Sequence, residues 1–222
     1  MFLQGWYGLS DEELEFQVND RLSFQQFLGF PNKIPDYSTI WRFREELTEL
    51  NLIDDIWSEQ KRQLSKHNLE IRPGKIQDAT FIHADPGKTN SGMNNRGREA
   101  RTSRSKDGSW TKKNKKSIFG FKSHTIMQRG SKIIEEVAVT TAKTHDNKID
   151  LAKKGDIIYR DRGYSGSKTK ATGDATMKKG KLTIKQKLRN KRITKKRAEG
   201  EHPYGTIQRS FKGGRTKLTT IA

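Results

Sequence analysis

Residues 178–197 place eleven Lys or Arg side chains in twenty positions, with no acid among them. A run of that kind cannot enter a core, because a charge withdrawn from water must be paired to be tolerated. It must lie at a surface, where its charges repel one another unless a polyanion neutralises them. The bias extends along the chain: residues 73–222 hold 37 basic and 13 acidic side chains, whereas residues 1–72 hold 8 and 13. A second basic cluster at 96–116 is mixed with Gly, Ser and Asn. The 222 residues therefore divide into a small, mildly acidic part (1–72) and a larger basic part (73–222), with a net charge of +19. The expected partner is a phosphate backbone, bound through counterion release and hence with strong salt dependence. A membrane surface suits the basic stretches less well, since they lack a matching stripe of Trp, Phe and Leu. No apolar run approaches the length of a membrane span. Cysteine is absent, which removes disulfides, thiolate zinc sites and cysteine nucleophiles together. The first residues lack the basic-then-apolar order of a secretion signal. A soluble, intracellular protein is expected.

The first part reads as helical. Ser10 followed by Glu13 has the spacing of a capping box, opening a run with Leu14, Val18 and Leu22, continued by Phe24, Phe27 and Leu28 to Gly29. Ser38 is expected to cap a second helix with Ile40, Phe43, Leu47 and Leu50 on one face, and a third is expected from about Asp54 to Leu69. Two helices joined by a turn suggest a DNA-reading pair, but Arg42 and Arg44 share their helix with Glu45, Glu46 and Glu49, which favours packing. From Pro73 strands are expected at 75–84, 117–127 and 133–142, rich in Ile, Val and Thr. A basic insertion around 86–116 interrupts them. A short helix at 145–154, a strand at 156–159 and a final helix through Tyr204, Ile207 and Phe211 complete an α/β order with a mixed sheet.

Acids are scarce in the basic part, so those near strand ends stand out. Asp78 lies within the first strand, Asp161 follows the apolar strand directly, and Glu201 comes after the basic run. Three carboxylates meeting there would make an all-oxygen site for Mg²⁺ or Mn²⁺. Two such ions could activate a water or a 3′-hydroxyl for phosphodiester displacement. The bland alternative is a turn aspartate beside Arg160 or Arg162 and a helix-start glutamate. Spacing alone leaves both open.

The strings Gln4-Gly5-Trp6-Tyr7-Gly8-Leu9-Ser10-Asp11 and Ile34-Pro35-Asp36-Tyr37-Ser38-Thr39-Ile40-Trp41-Arg42-Phe43-Arg44 resemble the N-terminal region of insertion-sequence transposases of family five. Along the second part, Gln77-Asp78-Ala79-Thr80-Phe81-Ile82, Ser105-Lys106-Asp107-Gly108-Ser109-Trp110, Phe119-Gly120-Phe121-Lys122-Ser123-His124, Asp161-Arg162-Gly163-Tyr164 and Gly200-Glu201-His202-Pro203-Tyr204-Gly205 are similar to the same family. The resemblance implies a ribonuclease-H-like mixed sheet with flanking helices behind a small helical N-terminal domain. It also implies a DDE triad that cuts DNA at transposon ends and joins 3′-hydroxyls to a target, in a cytoplasmic, nucleoid-associated prokaryotic protein. On these residues the triad is Asp78, Asp161 and Glu201, holding two Mg²⁺ or Mn²⁺ ions. Asp78 is preferred to Asp85 by its Asp-Ala-Thr context, and Asp161 to Asp156 because it ends the strand.

Arg197, four residues before Glu201, matches the arginine of the family's Tyr-Arg-Glu-Lys signature, whereas Thr194 and Gln208 stand where the signature has Tyr and Lys. His202 replaces an arginine. Arg197 and Arg209 are expected to contact DNA, together with Lys112, Lys113, Lys115 and Lys116 of the insertion and Lys187, Arg189, Lys191 and Arg192 of the basic run. Terminal inverted repeats, target DNA and a second copy of the chain are the implied partners. Because family members carry more sequence at both ends, a truncated, catalytically inactive remnant that only binds nucleic acid is the alternative. Among other polar residues, His145-Asp146 is explained as a helix start, His83 and His124 as packed or solvent-facing strand histidines, and Trp110 as a base-stacking side chain or a loop anchor.

Overall fold

A computed structural model describes residues 1–66, 74–87 and 105–217. Two compact units emerge: Met1–Glu70 with Arg209–Lys212, and Ile71–Gln208 with Gly213–Ala222.

The first unit is helical: α1 (Phe2–Tyr7), α2 (Asp11–Asp20), α3 (Leu22–Phe27), α4 (Tyr37–Glu49) and α5 (Leu52–Lys66). The Ser10–Glu13 capping box is present in full, each side chain taking the other residue's backbone N–H. Leu3, Leu14, Val18, Phe24 and Ile40 form the core. The single helix expected from Ser10 to Gly29 is instead two, because Arg21 adopts an extended conformation between them. That break leaves Leu22, Phe27 and Leu28 exposed while Phe24 turns inward. Asp36, not Ser38, caps α4, its carboxylate accepting from the Thr39 N–H. Arg44 is spent inside the unit, its two terminal nitrogens donating to both oxygens of Asp11. This pairing takes Arg44 out of any DNA-reading surface on α4.

The second unit is built on β1 (Lys75–His83), β2 (Ser109–Lys113), β3 (Lys116–Gln128), β4 (Ile134–Thr141), β5 (Ile157–Arg160) and β6 (Gly173–Thr176), followed by α6 (Ile184–Arg197) and α7 (Glu201–Arg209). The described strands form one six-stranded sheet in the order β2-β3-β1-β5-β6, with β4 beside β3. The β3 strand runs antiparallel to β1 and β4, while β5 and β6 run parallel to β1. That mixed order is the one expected of a ribonuclease-H-like sheet.

Part of the basic insertion is regular, contrary to the expected irregular segment. Asn114 and Lys115 both have positive φ and turn β2 into β3 as a two-residue hairpin. Residues 88–104 of the insertion lie outside the described residues. The expected helix at 145–154 shrinks to one 3-10 turn, Asp146–Lys148, with His145 at its N-cap and no side-chain cap. Conversely, α6 and β6 replace what reads in sequence as an irregular polar region.

Both sheet faces are covered. Ile76, Met127, Tyr159, Met177 and Ile193 pack on the helix-covered face, with Tyr204 against them; Ile126, Ala152 and Ile158 pack on the other. α7 lies along β1. Gly200 abuts Ile76, the Tyr204 hydroxyl meets Thr125 Oγ1, and Gln208 Nε2 donates to Thr80 Oγ1. Eight helical residues at about 1.5 Å each match four strand residues at about 3.3 Å each, so the helix keeps step with the strand.

Gly120 permits the close crossing of β3 and β1. Its φ is +143°, and a Cβ there would lie 2.1 Å from the Ile82 carbonyl oxygen. Gly120→Ala is expected to destabilise the second unit by about 2–4 kcal/mol, read as a lowered urea midpoint.

Candidate active site

The parallel pairing of β1 and β5 matches Lys75 with Ile158 and Ile76 with Tyr159. Two residues further come Asp78, within β1, and Asp161, still extended just past the end of β5. Side chains alternate along a strand, so both project on the face that carries Ile76 and Tyr159. Their proximity is felt electrostatically, since the Asp161 charge helps push the Asp78 carboxyl up.

Asp78 is mostly withdrawn from water. Burial is the main cause raising its carboxyl above the usual range, and the charge of Arg197 opposes this most strongly. Arg197 Nη2 donates to Asp78 Oδ2 at 2.6 Å, and Asp78 Oδ1 accepts from the Ala79 N–H. Asp161 follows β5 as the cap of a 3-10 turn, Arg162–Tyr164, its Oδ1 accepting from the Gly163 N–H at 2.8 Å. The two aspartates set aside in sequence have other work. Asp156 pairs with Lys75, and Asp85 caps the Gly87 N–H.

Glu201 opens α7, one residue after the glycine seated on Ile76, and is exposed. Residues 197, 201, 204 and 208 follow a helical stripe, of which Arg197, Tyr204 and Gln208 touch Asp78, Thr125 and Thr80. Thr125 is itself the cross-strand partner of Asp78. Among the described residues, no three His, Asp or Glu side chains stand together as a ready metal cage. Asp78 and Asp161 are close enough for the charge of one to act on the other, and Glu201 is not brought to them. Asp78 and Asp161 supply two of the oxygen ligands a hard divalent cation takes, and the described residues add no third acid to them.

Other expected contacts divide by geometry. Arg189 donates to the Thr176 carbonyl at 2.7 Å and ties α6 to β6, while Lys187, Lys191 and Arg192 are exposed on α6. Lys112, Lys113, Lys115 and Lys116 are exposed around the hairpin tip, with Lys113 also over the Phe81 ring. Arg209 is exposed at the end of α7. Gln208, at the signature's lysine position, bonds Thr80 two residues beyond Asp78. Trp110 is exposed and leans on Phe119. His83 is exposed, whereas His124 is buried and bonds Thr140 on the face away from Asp78.

Two features escape the sequence reading. Thr183 and Gln186 form a second capping box, a signature that could have announced α6. Asp146 reaches toward the Asp161 turn, with only the short string His145-Asp146 as its signal.

Residues 71–222 match the family model described as Transposase DDE domain, and residues 1–46 match Transposase domain (DUF772). The chain belongs to the DDE transposase family. No solved structure matches it. In this transposase residues 1–46 lie in the helical unit, and residues 71–222 include the whole sheet.

The raised carboxyl of Asp78 has a signed consequence. A charged Asp78 costs folding stability as pH climbs from the ordinary carboxylate range through its raised value, and Arg197 offsets that cost. Arg197→Met is expected to lower unfolding stability by about 2 kcal/mol at pH 7. The loss should shrink as pH falls and Asp78 protonates, in urea titrations of both proteins across that range.

Proposed function

We propose that this transposase cleaves DNA strands at the ends of its own element and transfers the freed 3′-hydroxyls to target DNA. The observation that carries the reading is that Asp78 and Asp161 each come two residues beyond the paired Ile76 and Tyr159, within a segment of strong positive charge. Asp78 and Asp161 would hold divalent ions, Mg²⁺ or Mn²⁺, with Glu201 completing the set. Once bound, a pair of such ions activates the attacking oxygen and stabilises the leaving one. Arg197 keeps the Asp78 carboxylate turned and partly neutralised. Tyr204 and Thr125 wall the same face, and the packing of Gly200 on Ile76 sets the start of α7, hence the approach of Glu201. The exposed lysines of α6 and of the β2–β3 hairpin supply a positive track for the phosphate backbone. Element ends, target DNA and a second copy of the chain are the partners of this reading. Among the described residues no helix is long and apolar enough to cross a membrane.

Asp78→Ala, Asp161→Ala and Glu201→Ala are each expected to reduce Mn²⁺-dependent nicking of DNA carrying the element's ends to background. Undiminished nicking by Asp161→Ala would overturn the assignment. Binding that persists in EDTA, without cleavage at any metal concentration, would identify a protein that only binds DNA.

Replacing Lys187, Lys191 and Arg192 together by Gln should flatten the salt dependence of binding. The slope of log K against log salt is expected to fall by about 0.9 for each phosphate that is no longer neutralised. Arg189→Gln should instead lower thermal stability, because its guanidinium is committed to β6.

A further inference from the structure

α5 stands apart from the core of its own unit. None of its side chains belongs to the cluster of Leu3, Leu14, Val18, Phe24 and Ile40, nor to the apolar residues packed against it. Its sequence is nevertheless amphipathic. At about 100° per residue, Leu52, Ile53, Ile56, Trp57 and Leu64 fall on one side with Gln60 and Gln63 between them, and all six charged residues fall on the other. Leu52, Ile53 and Ile56 are 37%, 51% and 54% exposed. A helix of fifteen residues gains little from its own hydrogen bonds and depends on burying such a face.

The charges point to what covers it. Asp54, Asp55 and Glu59 come first along α5, and Lys61, Arg62 and Lys66 follow. The helix dipole accounts for that order, but not for the spacing. Asp54 and Lys61 are seven residues apart, as are Asp55 and Arg62, so each acid shares its heptad position with a base. In an antiparallel pair of helices a flanking position faces the same position on the partner. A second α5 laid antiparallel would set Asp54 against Lys61 and Asp55 against Arg62, twice over, with Ile53 opposite Leu64. A parallel partner would bring acids level with acids. Among the described residues Asp54 and Asp55 make no ion pair within their own chain. Arg62 pairs with Glu59 along its helix, an exposed contact of the kind that is worth little and can be shared.

We propose that α5 is a self-association surface, on which a second copy of this chain lays its own α5 antiparallel. At about 1.5 Å per residue the helix is roughly 22 Å long. One stripe of that length buries less than the ~1,600 Å² of a standard interface, so the pair is reversible. The inference stands on α5 alone and not on the carboxylate site, and neither falls with the other.

The test is sedimentation velocity of the full chain over a range of concentrations, without DNA or metal. Wild-type protein is expected to dimerise reversibly, and Ile53→Glu/Ile56→Glu to stay monomeric with a native circular dichroism spectrum. Asp54→Lys/Asp55→Lys and Lys61→Asp/Arg62→Asp should each weaken the dimer about tenfold or more through like charges set face to face. Mixing these two variants should restore it, which shows that both remain folded. The chain has no cysteine, so Ile53→Cys and Leu64→Cys report the orientation: oxidation is expected to cross-link their mixture and neither variant alone. Wild-type protein that is monomeric at every concentration would overturn the inference, and so would a dimer indifferent to Ile53→Glu/Ile56→Glu or a cross-link formed by Ile53→Cys alone. A monomer that loses thermal stability in Ile53→Glu/Ile56→Glu would show the stripe covered within one chain, which overturns it equally.

Discussion

The parallel ladder between β1 and β5 is the constraint on which the rest of the second unit depends. It is short, two register pairs in length, yet it sets the level of β5, which ends at Arg160, against β1, which runs on to His83. Asp78 and Asp161 come at equal distances beyond those pairs, so the two acids share a level and a face. A shift of one residue would send one of them through the sheet to the opposite side. Burial of Ile76 and Tyr159 in the helix-covered core, and of Ile158 in the core beneath, locks that register.

Placing an acid in a half-buried strand carries an electrostatic cost, and the surrounding elements answer it. Arg197 arrives at the end of α6, 119 residues after Asp78, and binds one of its oxygens. α6 is thereby divided in purpose. Ile193 enters the core, Asn190 holds both the N–H and the carbonyl of Lys178, and Arg189 holds the end of β6. Lys187, Lys191 and Arg192 remain on the solvent side. A helix so rich in charge is stable because a few inward positions and its capping box suffice to dock it, leaving the outward lysines in water.

Much of this is legible in the sequence. The strands at 75–84, 117–127, 133–142 and 156–159 are short runs of apolar and β-branched residues, densest at 133–142, and all four form within a residue or two of the expected limits. Asp78 and Asp161 stand out because carboxylates are rare in a basic segment and both adjoin apolar strands. α6 does not, because periodicity is sought in apolar residues, and its face toward the sheet is made of Asn190, Ile193 and Arg197, only one of them apolar. The spacing of Leu22 and Phe27 predicts burial, but Arg21 breaks the helix and turns α3 about its axis, leaving both exposed. Asp146 reads as a local helix start, since nothing nearby in sequence reveals a partner 24 residues earlier on β3.

The sequence by itself determined the division into a mildly acidic helical part and a basic α/β part, most strand positions, and the identity of the acids worth watching. Those arise from local quantities: charge density, the two-residue alternation of strands, and capping spacings. Which carboxylates come near each other, which arginine pairs with Asp78, and which lysines stay exposed were decided only by the tertiary structure. Each depends on register and on helix docking between segments distant in the chain, and no local pattern encodes the separation of two oxygen atoms.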